Sequence, residues 1–244
     1  MFSPEDRDRL KDELIARARQ DARVDAAALL GSSAVGDEDR WSDIDLGLSV
    51  ARDRDETIAD WTAWMYDRHD AVHHLDVAGG DAVYRVFLLT SSLQVDLSFW
   101  PHGRLRPIGP AFRVLFGTAG APSPSAGPEP SQLIGLGWLH ALHARSSISR
   151  GRVWQAEYMI GGARGHVLAL ACLRRGLPTA HGRGIDDLPQ EVVARLAPTL
   201  IHSLEVPELR RALAALVDAL LREAGETDPG VGRRLATPLG ELIR

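Results

Sequence analysis

The sequence predicts an α+β fold in two parts, a mixed-sheet domain followed by an all-helical bundle domain. Three observations carry this. Strand and helix patterns alternate up to about residue 118, and beyond residue 130 strand patterns stop. The stretch from Gly117 to Pro130, GTAGAPSPSAGPEP, is dominated by Pro, Gly, Ser and Ala, the composition of a linker or surface crossover. Charge divides at the same place: residues 1–118 carry 21 acidic and 14 basic side chains, a net of −7, whereas residues 119–244 carry 12 and 14, a net of +2. The expected division is therefore a first domain over 1–118, a linker over 119–130 and a helical domain over 131–244, within a length that suits one large or two small domains.

The elements follow in order. Pro4 to Gln20 sets Leu10, Leu14, Ile15 and Ala18 at helical spacing. Val24 to Leu30 reads as a short strand, Gly31 to Trp41 as a loop, and DIDLGLSV (43–50) as a strand with two different faces. Thr57 to His69 is a helix with Ile58, Trp61 and Met65 on one side. Three strand-like runs come next, Ala71–Val77, Ala82–Thr90 and Leu93–Trp100, the last two joined by a hairpin at Ser91-Ser92. In the second part Ser131–Ser147, Arg152–Arg175, Pro189–Leu196, Pro207–Ala224 and Pro229–Ile243 read as helices, with Ser131 placed to cap the first and Asp228-Pro229 to start the last. Trp61, Trp64, Trp138 and Trp154 are read as core, and there is no internal repeat.

Composition excludes several functions. With 45% hydrophobic and 25% charged residues the chain is of ordinary globular make-up. No run of about 18 apolar residues exists to span a membrane. The charged start, MFSPEDRDRLKDEL, is not a signal peptide, so a cytoplasmic location is expected. Cys172 is the only cysteine and lies in an apolar run, which rules out an internal disulfide or a Cys-based zinc site. The net charge of −5 argues against duplex nucleic acid as a partner. Lys11 is the only lysine among 28 basic residues, a codon-usage trait to which no function is attached.

The chemistry concentrates at Ser42-Asp43-Ile44-Asp45-Leu46. In a strand, residues two apart point the same way, so Asp43 and Asp45 stand side by side while Ile44 and Leu46 face the core. Two carboxylates that close repel unless a cation lies between them, and an oxygen-rich pair suits Mg²⁺ with substrate phosphates. Taken alone, the pair would equally suit a solvated strand face. Upstream, Gly31-Ser32-Ser33 ends the preceding strand in a turn whose backbone N–H groups can hold a phosphate. Asp96, between Val95 and Leu97, offers a third acid on a strand that can lie beside the first two. His73 and His74 point to opposite faces of one strand and cannot chelate a metal together.

Gly31-Ser32, Ser42-Asp43-Ile44-Asp45-Leu46 and Val95-Asp96-Leu97, in this order and spacing, resemble the nucleotidyltransferase superfamily of DNA polymerase β, and more closely its small bacterial members that adenylylate aminoglycoside and lincosamide antibiotics. The resemblance covers residues 20–100, and the helical second part is similar in layout to the domain that closes the active site in those enzymes. It departs from the pattern at Val35, where many members carry an arginine; Arg40 is the candidate replacement. The resemblance implies an ATP-binding, magnesium-dependent enzyme. Two Mg²⁺ ions would bridge Asp43 and Asp45 to a nucleoside triphosphate, with Asp96 on the metal nearer the acceptor. A small-molecule hydroxyl would attack the α-phosphorus and pyrophosphate would leave. Gly31, Ser32, Ser33, Arg40 and Ser42 would line the nucleotide.

In the helical part, Glu157, Gly161 and Arg164 share one narrow helix face near Trp154 and Arg150, beside an apolar stripe of Val153, Ile160, Ala163, Val167 and Leu170. Glycines at 161, 162 and 165 weaken a helix by about 1 kcal/mol each, which points to close approach by a backbone or ligand. Glu157 and Arg164 form either a helical ion pair or a functional set, with Glu157 as general base and Arg164 on phosphate. His181 to Asp187 reads as a polar connecting loop. An acidic cleft suits a cationic acceptor such as an aminoglycoside-like sugar, which would make the protein an antibiotic-resistance enzyme. The alternatives are nucleotidylation of a protein partner, as in antitoxin-like systems, and a non-catalytic nucleotide-binding relative.

Overall fold

The computed structural model describes residues 1–122 and 127–243. Contacts divide the chain into two compact units, Met1–Ser125 and Ala126–Arg244. Of the segment assigned as a linker, residues 123–126 lie outside the described residues.

The first unit contains α1 (Pro4–Gln20), β1 (Val24–Leu30), α2 (Gly31–Val35), β2 (Ile44–Val50), α3 (Arg54–Arg68), β3 (Ala71–Gly79), β4 (Ala82–Leu89), β5 (Gln94–Pro101) and β6 (Phe112–Phe116). The six strands form one mixed sheet in the order β3-β4-β5-β2-β1-β6. The β2–β5 pair is parallel and the other pairs are antiparallel. Helix α1 starts where expected because Ser3 and Asp6 make a capping box and Pro4 opens the first turn. Its buried Leu10, Leu14 and Ala18 join Ile58, Trp61 and Met65 of α3 in covering one sheet face, against Ile44, Leu46, Phe87, Val95 and Leu97. The opposite face holds a smaller cluster, Ala26, Ala28, Ala82, Trp100 and Leu105. Three consecutive alanines in β1 thus serve two cores, with Ala27 facing the helices and its neighbours facing away.

Three details differ from the expectation. The loop at 31–41 opens with a one-turn helix, α2, because Gly31 (φ +59°) turns the chain and Gly36 (φ +75°) ends it in the left-handed region. Helix α3 begins at Arg54 rather than Thr57. Strand β6 had no counterpart in the reading; it is five residues long and pairs along β1.

The second unit is helical: α4 (Pro130–Ser149), α5 (Val153–Leu173), α6 (Gln190–Leu196), α7 (Val206–Thr227) and α8 (Pro229–Gly240). Its core is built from small residues of α4 and α5, Ala141, Ala144, Ala156 and Ala163, with Ile160, Val167, Leu213, Leu216 and Leu220. Asp228 starts α8 as expected, its carboxylate accepting from the N–H groups of Gly230 (2.7 Å) and Val231 (3.0 Å). Ser131 is not a cap: Pro130 occupies the first turn and Glu129 the cap position, with no side-chain cap bond. Trp154 is not core either. It is 74% exposed, because it lies on the side of α5 away from the stripe of Ile160, Ala163 and Val167. Cys172 is buried. Among the described residues, no helix is long and apolar enough to cross a membrane.

Candidate metal centre

The parallel neighbours β2 and β5 pair Ile44 with Val95, Asp45 with Asp96 and Leu46 with Leu97. Alternation sends the four apolar residues into the helix-covered core and both acids to the other face. Asp43, just ahead of β2, completes the group. One carboxylate oxygen from each of Asp43, Asp45 and Asp96 lies within 4.8 Å of the others, and all three residues are half-buried. Burial, and then the neighbouring Asp43 charge, push the Asp96 carboxyl up to about 6, against the opposing pull of a hydrogen bond from Gln94. A divalent cation bound by oxygen ligands removes both penalties at once, so these residues fit one.

Gln94 is a member of the site that the sequence reading missed. Its Nε2 donates to Asp96 Oδ1 at 3.0 Å and to Asp43 Oδ2 at 3.3 Å, joining two of the acids. The available signal was spacing: Gln94 stands two residues before Asp96 on the same strand, hence on the same face.

Gly31 abuts the site directly, since a Cβ at that position would run into the Asp45 carboxylate. The turn needs glycine for its positive φ and for this approach. The other loop residues have their own engagements. Ser33 is buried, and its hydroxyl donates to Glu38 Oε1 at 2.6 Å. The same Glu38 carboxylate accepts from Lys11 Nζ at 2.7 and 2.8 Å, with Arg7 Nε 3.6 Å away. Arg7, itself buried, also donates to the Asp39 carbonyl. The acidic run 37–39 is therefore tied back to α1. Ser42 Oγ donates to Asp39 Oδ1 (3.1 Å) and accepts the Asp39 N–H (2.9 Å). Arg40 is exposed and lies over the Trp41 ring, 4.3 Å from its centroid. Ser32 is half-buried and Val35 exposed.

Glu157 and Arg164 lie on α5 of the second unit, both half-buried. No ion pair joins them among the described residues; Arg164 Nη1 instead donates to the Thr199 carbonyl at 2.9 Å. The glycines between them divide in role. A Cβ at Gly161 would meet only the Arg164 and Glu157 side chains, at 3.6 and 3.9 Å, whereas one at Gly162 would come within 2.9 Å of the His140 ring on α4. Close approach at Gly162 is thus helix against helix. His74 packs on the helix-covered side, its Nδ1 2.9 Å from the Tyr66 hydroxyl, while His73 is exposed.

Two carboxylates on adjacent strands of a mixed sheet and a third just ahead of β2, backed by a Gly-Ser turn, form an acidic cluster that fits a divalent metal. Among solved structures the chain is similar to an aminoglycoside 6-adenyltransferase from Bacillus subtilis, at 11% identity and a TM-score of 0.41, covering 95% of this chain and 96% of the other. It is also similar to the polymerase core of TRAMP, an RNA surveillance complex, at 15% identity and a TM-score of 0.33, covering 90% of this chain and 58% of the other. No protein-family model and no curated protein matches the chain.

Proposed function

We propose that the chain is a Mg²⁺-dependent nucleotidyltransferase that moves AMP from ATP to a hydroxyl group of a small molecule and releases pyrophosphate. The observation that carries this reading is the Asp43, Asp45 and Asp96 cluster lying against Gly31, in the motif order that resembles the polymerase β superfamily. The reaction forms a bond between the acceptor oxygen and the α-phosphorus and breaks the bond from that phosphorus to the pyrophosphate oxygen. Mg²⁺ held by the three aspartates would supply charge neutralisation for the attacking and leaving oxygens. The chain's own contribution is positioning. Backbone N–H groups of the turn at Gly31 and Ser32 receive phosphate oxygens. Gln94 holds the Asp43 and Asp96 carboxylates in fixed orientation. Arg40 receives the triphosphate in place of the arginine absent at Val35, and Ser33 and Ser42 line the nucleotide from the loop whose conformation they maintain.

Glu157 as acceptor of the hydroxyl proton and Arg164 as a phosphate contact rest on the helix-face argument alone. Near-wild-type turnover by Glu157→Gln would remove that assignment. The domain division that accompanies this reading is 1–118, 119–130 and 131–244, and the compartment is the cytoplasm.

The deciding experiment is Mg²⁺-dependent pyrophosphate release with each of four nucleoside triphosphates across aminoglycoside, lincosamide and protein acceptors, with the Asp43→Asn/Asp45→Asn double variant as blank. Release that survives the double change overturns the mechanism. Transfer to protein alone replaces the small-molecule acceptor, and Mg-ATP binding without pyrophosphate makes the chain a sensor.

A further inference from the structure

The sheet face that carries the acids does not end at them. Register continues the row: Asp45 pairs with Asp96, Asp96 with Val86 of β4, and Val86 with Leu75 of β3. The row beside it runs from Gln94 through Leu88 to His73, and the next from Ser98 through Tyr84 to Val77. Leu75, Val77 and Leu88 are 60%, 47% and 48% exposed. The charged residues of these two strands point the other way. Arg85 makes two 2.7 Å bonds to Asp76 and a 2.6 Å bond to Thr62 of α3, on the helix-covered side.

Strands β3 and β4 thus turn their charged Asp76 and Arg85 toward the helices, beside the buried Phe87 and Leu89, and leave Leu75, Val77 and Leu88 toward solvent. Neither strand places an Asp, Glu, Lys or Arg on this floor. At about 4.8 Å between strands, Leu75 lies about 10 Å from Asp96, the width of one or two fused rings.

We infer that this floor seats the acceptor, and that the acceptor is a neutral hydroxylated ring compound with an apolar face rather than a polycation. The inference rests on the proposed nucleotidyl transfer and names its acceptor class. A ring laid on Leu75, Val77 and Leu88 buries apolar surface on both sides while its hydroxyl reaches the carboxylates. An aminocyclitol in the same place would set ammonium groups over leucine with no counter-charge beneath them. The carboxylate cluster at the end of the row is left for metal.

The test compares the wild-type chain with Leu75→Ser/Leu88→Ser, both at exposed positions. Pyrophosphate release is measured with Mg-ATP, using neutral hydroxylated aromatic and alicyclic compounds (7-hydroxycoumarin among them) against aminoglycosides. Neutral acceptors are expected to be turned over by the wild type, and their KM to rise about tenfold in the variant with KM for ATP unmoved. Turnover of aminoglycosides or proteins alone, or an unchanged acceptor KM, overturns the inference and leaves nucleotidyl transfer standing. No release with any acceptor overturns both. Sedimentation of the two proteins supplies the remaining outcome: a wild-type dimer that the variant dissociates makes the floor a self-association face and overturns the acceptor assignment.

Discussion

The two faces of the sheet follow opposite rules. On the helix-covered face, Phe87, Val95, Leu97 and Ile44 are buried against Trp61 and Met65, and the charged Arg85 is fully matched by Asp76 and Thr62. On the other face, beyond the small buried cluster around Trp100, three carboxylates crowd together and leucines stand exposed beside them. The first face gains stability from every contact. The second holds like charges and bare apolar surface, both of which cost stability in the isolated fold. A strand that spends one side on folding and the other on an arrangement unfavourable by itself is where the proposed metal and acceptor would complete the structure.

The largest test of this contrast is on the acidic side. Asp96→Asn is expected to lower pyrophosphate release by about a thousandfold while leaving the melting temperature unchanged or higher, because burial and the Asp43 charge disfavour its ionised form. A variant that melts lower would show that the acids serve folding. On the helix side the signs reverse: Phe87→Ala, next in sequence to the exposed Leu88, should destabilise the unit by about 3–5 kcal/mol in urea unfolding.

A smaller effect is expected at Asp21. Arg23, first through its side-chain hydrogen bonds, and then Trp61 hold this carboxyl down at about 2, below its ordinary 3.8. The depressed value means that the stabilisation is present above pH 3.8 and is lost as pH falls toward 2. Asp21→Asn should cost about 2 kcal/mol at pH 7 and converge with the wild type in acid, read from melting at a series of pH values. The smallest change is Leu88→Ser, expected within about 0.5 kcal/mol of wild-type stability. A loss as large as that at Phe87 would mean that Leu88 is core and that the two faces are alike.

Much of this was legible in the sequence, for identifiable reasons. The strands that carry the acids alternate strictly, so Ile44, Leu46, Val95 and Leu97 announced the buried side and, by exclusion, the acids' side. Helix α1 carried its own start signals in Ser3, Pro4 and Asp6. Strand β6 was hidden because Phe112–Phe116 does not alternate cleanly and is held by pairing with β1, which is distant in sequence. Gln94 was hidden because an amide two residues from an acid carries no motif of its own; its role appears only when β2 lies alongside. Trp154 misled because an aromatic residue at helical spacing looks like core until the stripe it would join is seen on the far side. The exposure of Leu75, Val77 and Leu88 was written in the sequence as alternation, but alternation alone does not say which side the helices take.

The parallel pairing of β2 with β5 also sets a schedule for the polypeptide. Gln94 reaches Asp43 across 51 positions of chain, which hold β2, α3, β3 and β4. Closing so long a segment is entropically expensive and slow compared with forming the local hairpin of β4 and β5. Asp43 and Asp45 are neighbours by strand geometry alone, but Asp96 joins them only when that non-local closure is made, and its repulsion enters at the same moment. An ion captured there would bind the closed chain alone, so it would act as a latch on unfolding rather than as a template for folding.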